Sequence, residues 1–258
     1  MKKLLSIQLV VALLITGTGC TKFSDDINVD PNAPSKASNA QLLTYSISQM
    51  ANVIESVSGL LYVQHWSEKP YTDNSRYTVV NFDFYDIYTQ PLQNLQTILN
   101  ARNFDINEGS VNNQKAVARI LKAWFFWHMT DRWGDIPYFN ALKGKDNFSA
   151  GYDKQKDIYY DLMKELKEAA AQIDNGNKVV GDLLYTDMAS WKRFANSMRL
   201  LMALRLSKAD PAKGKAEFLD ALNSGVFTDN SQNAVYIHLA DAANQSYWYY
   251  VANVQNDR

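Results

Sequence analysis

Apolar residues recur at the spacing of an α-helix through most of this chain, and that period restricts the fold more than any other feature. Between Gln41 and Leu61 they fall at Leu43, Ile47, Met50, Ile54, Val57 and Leu61, in steps of 4, 3, 4, 3 and 4, which places one stripe on one helical face. Ser38, with Gln41 three residues on, supplies a capping box at the start. A second helix runs through QPLQNLQTILNARNF, with Leu92, Leu95 and Leu99 on one side; Pro91 is tolerated in its first turn, where the missing N–H would have no partner. A third begins near Asn113, carries Ala116, Ile120, Trp124 and Trp127, ends at Gly134 in a left-handed conformation and is kept from resuming by Pro137. The fourth, KDIYYDLMKELKEAAAQID, aligns Ile158, Leu162, Leu166, Ala169 and Ile173 and stops at Asn175-Gly176. The fifth spans roughly Asp187 to Lys208, with Trp191, Phe194, Met198, Leu201 and Arg205 in one line and Asp187 as its cap. Asp210-Pro211 then forms the N-cap and first position of a short sixth helix ending near Gly225. Six helices in antiparallel succession predict an all-α stack. No strict repeat is present, although helix pairs of this length suit a tetratricopeptide-like array.

Two segments depart from the period. Residues 65 to 88, HWSEKPYTDNSRYTVVNFDFYDIY, are polar and rich in Trp and Tyr, and AVYIHLADAANQSYWYYVANVQNDR at the C-terminus lacks a capped helix. Long irregular loops on a rigid scaffold are where binding residues commonly lie.

The N-terminal MKKLLSIQLVVALLITGTGC sets two lysines ahead of an apolar run too short to span a bilayer, the pattern of an export signal. Cys20, the single cysteine, excludes an intramolecular disulfide. Following Gly17, Thr18 and Gly19, it resembles the lipid-acceptor cysteine of a bacterial lipoprotein, although that pattern has a Leu-like residue at the position of Gly17. The expected organisation is a signal peptide over 1–19, a flexible tether over 20–38 and an α-helical domain over 39–258, held to a membrane surface through the anchor.

Composition and motif spacing exclude several functions. With 26 basic and 27 acidic residues, the chain lacks the clustered basic face that a nucleic-acid partner requires. His65, His128 and His238 are isolated, and no HExxH, CxxC or EF-hand spacing occurs, so no metal or cofactor is expected. The stretch WFFWHMTDRWGDIP, 124 to 137, looks most like an active site, but a glycosidase needs two carboxylates facing across a cleft. Asp131 and Asp135 flank a helix end instead, and His128 and Asp131, one turn apart, are placed to bond to each other or to the following loop. No enzymatic activity is expected. Lys192, Arg193, Arg199, Arg205 and Lys208 read as a partly solvated face of the fifth helix.

NVDPNAPS, ARILKAWFFWHMTDRWGDIPYFNAL, YDKQKDIYYDLMKELKEAAAQID and DLLYTDMASWKRFANSMRLLMALRLSKADPA, in this order and spacing, resemble the SusD/RagB family of surface lipoproteins, specifically its SusD-like branch. The resemblance implies tetratricopeptide-like helix pairs with long irregular loops, and a non-catalytic protein that delivers glycans, or in some members peptides, to a SusC-like TonB-dependent outer-membrane transporter. It implies an outer-membrane location, lipid-anchored through Cys20 and facing the cell exterior; Asp25 and Asp26 resemble the acidic export signal of surface-exposed members. Family members are much longer, so the resemblance also implies that the chain is an N-terminal portion, incomplete at its C-terminus. A helical-repeat scaffold without ligand is the alternative.

Sugar recognition without catalysis needs flat aromatic faces and planar polar groups. Trp66, Tyr71 and Tyr77 supply the faces, Asp73, Asn74 and Arg76 the hydrogen bonds, and Trp248, between Tyr247 and Tyr249, is a further candidate. The competing reading continues the first helix through Trp66, packs it inward and leaves Tyr71 and Tyr77 as braces of the loop.

Overall fold

The computed structural model describes residues 36–55, 57–68, 72–77, 83–239, 241, 244–250 and 253. Cys20, Asp25, Asp26 and Tyr71 lie outside the described residues. The helices below belong to the unit Ser38–Arg258, which is all-α, with an isolated bridge between Ile136 and Asp153.

Helix α1 (Asn39–Ile54) opens with the expected capping box: Ser38 Oγ accepts the Gln41 N–H, and Gln41 Oε1 accepts the Ser38 N–H at 2.9 Å. The single helix expected to run to Leu61 breaks at Glu55, and α2 (Val57–Tyr62) follows as a separate piece. Ile54 does not join the stripe but is 63% exposed. Ser56-Val57-Ser58-Gly59 are weak helix formers, and with Ile54 turned outward nothing repays continuation through them.

The second helix also departs from expectation. It begins six residues before Pro91, as α3 (Tyr85–Ile87), a π-turn (Tyr88–Leu92) and α4 (Gln93–Asn100). Pro91 therefore sits inside the helical run, in the one turn whose wider i→i+5 pattern accommodates a residue without an N–H. Leu92, Leu95 and Ile98 are buried there.

Helix α5 (Val111–Trp133) is the hub. Ser110 caps it, and most of its 23 residues are buried, including Trp124 and Trp127 at 6% and 7% exposure. Most of its circumference is enclosed, with Lys115, Arg119 and Lys122 half-buried on the remaining face, and α5 packs against α1, α4 and α6 (Gln155–Gln172). Its end is a positive-φ glycine but not an αL one: Gly134 has φ 76 and ψ −120, donates to Thr130 O at 2.9 Å and accepts from Thr130 Oγ1 at 2.7 Å. In α6, Ile158, Leu162, Leu166 and Ala169, and Ile173 at its C-cap, are buried as the stripe requires, each large aliphatic contributing about 1.5–3 kcal/mol relative to exposure.

Helices α7 (Met188–Arg205) and α8 (Pro211–Asn223) complete a run in which α6 pairs with α7 and α7 with α8. Asp187 and Asp210 cap them as the sequence specifies. The stripe assigned to α7 is corrected. Leu201 is 48% exposed, and the buried side runs through Trp191, Phe194, Ala195, Met198, Arg199 and Met202. Packed between two helices, α7 buries a broad arc, and that arc includes Arg199, which was expected on a solvated face. A final turn, α9 (Tyr247–Tyr250), lies near the C-terminus.

The turn after α6 is pinned to α1 by close backbone approach. Gly181 has φ +80, a Cβ there would lie 2.5 Å from Ala40 O, and its carbonyl accepts from Thr44 Oγ1 at 2.9 Å; glycine alone meets both demands.

Candidate functional site

The constellation at the end of α5 is structural. Asp131 accepts the Tyr159 hydroxyl and pairs with Arg205, while the same Tyr159 Oη accepts the Trp127 indole N–H at 3.2 Å. Asp135 accepts from Lys154 Nζ at 2.8 Å and from the Gln155 N–H at 3.0 Å. The expected His128 partner is also corrected: its Nδ1–H donates to Trp124 O at 2.9 Å, with the ring 3.9 Å from that of Trp124. Burial holds the His128 pKa below its ordinary 6.5, with Arg205 and Arg132 adding to the effect. The folded protein therefore keeps this ring neutral where the unfolded chain takes up a proton. The associated stability is present above about pH 6.5 and is lost as pH falls, by at most about 1.4 kcal/mol per pH unit. Denaturant titrations from pH 7 to 5 check this; His128→Gln should flatten the acid limb, and an unchanged slope would contradict it.

The two aromatic segments separate in sequence meet in space. After α2 the chain turns through Gln64 at φ 58, and the His65 and Trp66 N–H groups both point to Leu60 O. This ends the helix before Trp66, which is 43% exposed rather than packed inward. Its ring stands edge-on to Trp248, centroids 4.6 Å apart at 62°. Trp248 is set by α9, whose start is tied by Trp248 N–H to Ser246 Oγ at 3.2 Å and Tyr250 N–H to Ser246 O at 3.0 Å. Edge-to-face pairs of this kind hold ring orientation as well as burying area.

Asp73, Asn74 and Arg76 lie together on a 3-10 turn, Asn74–Arg76 with Asp73 preceding it. The Asn74 amide reaches Glu68 Oε1 at 3.5 Å, and Tyr77 donates to Tyr62 O at 3.0 Å while its ring lies 5.5 Å from that of Tyr62. Tyr77 is thus a brace of its loop, and Arg76 is exposed.

Sequence reasoning missed a cleft of about 400 Å³ between α1 and the C-terminal segment. Gln49, Asn52 and Glu55 face it from α1, and Tyr236, His238, Asn244, Gln245, Tyr247 and Tyr250 from the other side. Tyr247 packs at 5.4 Å on Trp248, so the tryptophan pair adjoins the cleft. His238 Nε2 lies 3.3 Å from Glu55 Oε1, and its Nδ1 3.3 Å from Asn244 O. The spacing of Gln49 and Asn52 was visible in the sequence, but three polar residues on an amphipathic helix read equally well as its solvent face. Amides, a carboxylate and phenols beside the exposed Trp66 ring and the half-buried Trp248 can donate to, accept from and stack on a polyhydroxylated ring.

A sequence profile for a family described as starch-binding and associating with the outer membrane matches residues 31–258. Among solved structures, a chitin-binding protein is similar at 30% identity and a TM-score of 0.67, over 78% of this chain and 46% of its own. A Bacteroidetes AC2a SusD-like protein follows at 27% identity and 0.64, over 79% and 40%. A SusD homologue from Parabacteroides distasonis shares the fold at 23% identity and 0.68, over 85% and 46%. The chain spans less than half the length of each of these structures. A comparison with curated proteins returns no match.

Proposed function

We propose, from the premise that this chain belongs to the SusD-like family of starch-binding proteins associating with the outer membrane, that it is a non-catalytic glycan-binding lipoprotein serving a TonB-dependent transporter. In this reading Cys20 carries the lipid anchor, the helical stack is the scaffold, and the ligand lies on Trp66 and Trp248 with its hydroxyls toward the amides of the adjoining cleft. The observation that carries it is the exposed Trp66 ring held edge-on by Trp248. An isolated loop aromatic needs no such support, whereas a stacking platform must keep its face fixed to avoid losing side-chain entropy on binding.

Calorimetric titration with malto- and chito-oligosaccharides tests this. Trp66→Ala should weaken binding at least tenfold, about 1.4 kcal/mol, and Trp248→Ala should weaken it less, with the far-UV circular dichroism of both variants unchanged. Failure of the wild-type chain to bind any glycan, or equal affinity in Trp66→Ala, would sink the assignment.

A further inference from the structure

Residues 234 to 239, AVYIHL, run in extended form after the turn Asn230–Gln232 and form the wall between the first cleft and a second one of about 620 Å³. Val235 and Ile237 line the second cleft, Tyr236 and His238 the first. This is the alternation of a strand, whose successive side chains point to opposite faces. The Tyr236 and His238 rings stand 4.9 Å apart at 90°, as side chains two residues apart on one strand face do. Val, Tyr and Ile are also residue types that favour this backbone.

This strand joins no sheet. Among the described residues, the N–H and C=O groups of residues 234 to 238 have no hydrogen-bond partner. Both ends are tied: the Asn233 N–H donates to Asn230 O and the Leu239 N–H to Asn244 O, each at 3.2 Å. On one face Val235 and Ile237 are 56% and 73% exposed. Sequences usually blunt such an edge with lysine, proline or a bulge, and residues 234 to 239 contain neither lysine nor proline. Water satisfies the backbone groups but leaves the β-branched side chains exposed. A sugar brings hydroxyls without the strand repeat. A second extended backbone brings alternating donors and acceptors at that repeat, together with side chains to cover the apolar face. The stretch is also suited to its own copy. In an antiparallel pair centred on Tyr236, Val235 faces the partner's Ile237 and Ile237 faces the partner's Val235, so β-branched residues meet twice. Each N–H dipole on the shared edge then finds a C=O.

We propose that this edge pairs with the same edge of a second copy of the chain, in an antiparallel two-fold register centred on Tyr236. Such an interface is isologous and closes at two copies. Two short strands bury less than the roughly 1,200 Å² at the low end of stable complexes, so the dimer dissociates on dilution. The pairing is independent of the glycan reading, but Tyr236 and His238 line the first cleft, and the dimer sets two such clefts side by side.

The full chain carrying Cys20→Ser, which removes the single cysteine, is followed by sedimentation equilibrium up to high micromolar concentration and should show a monomer–dimer equilibrium with nothing larger. Val235→Lys with Ile237→Lys sets like charges opposite each other and should weaken the dimer about tenfold or more, as should Val235→Glu with Ile237→Glu. Mixing the two variants should restore pairing, which a loss of folding would prevent. Both positions are exposed, so the far-UV circular dichroism and thermal midpoint should stay unchanged. Oxidation should link Tyr236→Cys to itself across the two-fold. Ala234→Cys should stay unlinked, because its two copies lie about four residues apart along the pair, about 13 Å, beyond disulfide reach. A chain that stays monomeric, association that continues past the dimer, a dimer indifferent to the lysine pair, failure of the mixed variants to pair, or linkage at position 234 instead of 236 would each overturn the proposal. So would binding of an unrelated peptide with alternating valines by a chain that does not self-associate, an outcome that assigns the edge to a peptide ligand.

Discussion

Arg199→Ala should lower the unfolding free energy by about 3 kcal/mol, the cost of breaking a buried ion pair by removing one partner. Arg199 is fully buried, donates from Nη1 to Asn196 Oδ1 at 3.2 Å and from Nη2 to Glu217 Oε2 at 3.1 Å, and pairs with Asp220. These contacts join α7 to α8. The variant leaves the two carboxylates with Lys213 and Lys167 only, at 2.9 and 3.0 Å, which keeps the loss near the lower end of the usual range. Because an apolar replacement of a whole buried pair is often close to neutral, Arg199→Met combined with Glu217→Gln should recover much of it. Urea denaturation followed by circular dichroism measures both. A loss below about 1 kcal/mol for Arg199→Ala would mean that the guanidinium is solvated in solution, as an exposed pair would be.

Trp191→Ala should cost more, about 4 kcal/mol, within the range for deleting a large buried aromatic. Trp191 is fully buried, contacts Tyr185 and Phe194 at 5.4 and 5.8 Å, and donates its indole N–H to Asp182. Burial raises the Asp182 pKa, and the indole, with the Leu184 and Tyr185 N–H groups, draws it down. The alanine variant thus opens a cavity and strips a buried carboxyl of one donor. Trp191→Phe separates the two contributions, retaining most of the ring and losing the N–H, and should cost about 1–3 kcal/mol. Equal losses for the two variants would assign the whole effect to the hydrogen bond.

Local signals were legible wherever a few neighbouring residues decide the outcome. The Ser38–Gln41 box, the Asp187 cap and the Asp210-Pro211 start need only residues within one turn, and all three stand in the structure. Reading a stripe was less secure at its ends. Ile54 and Leu201 fit the period but face outward, because a helical period says which residues share a face and not how far a neighbouring element extends over it. The same reason hides Arg199: a helix covered on one side can solvate an arginine, whereas one wedged between α6 and α8 cannot.

The binding face shows the same division. The density of aromatic residues around Trp66 and around Trp248 could be read from each segment alone, but nothing in either announced that the two rings meet. Tyr77 belongs to the same aromatic density as Trp66 and braces Tyr62. Gln49, Asn52 and Glu55 are indistinguishable by pattern from the solvated face of an amphipathic helix, and only the C-terminal segment laid across them makes a cleft.

By itself, then, the amino-acid order determined that the chain is helical and where most helices start and stop, because capping, turn chemistry and apolar period act over distances of a few residues. Tertiary structure decided which polar groups are enclosed. Burial of Arg199, the lowered pKa of His128 and the Trp66–Trp248 contact each depend on segments far apart in the chain, whose mutual placement is set by packing around α5 and by no local rule.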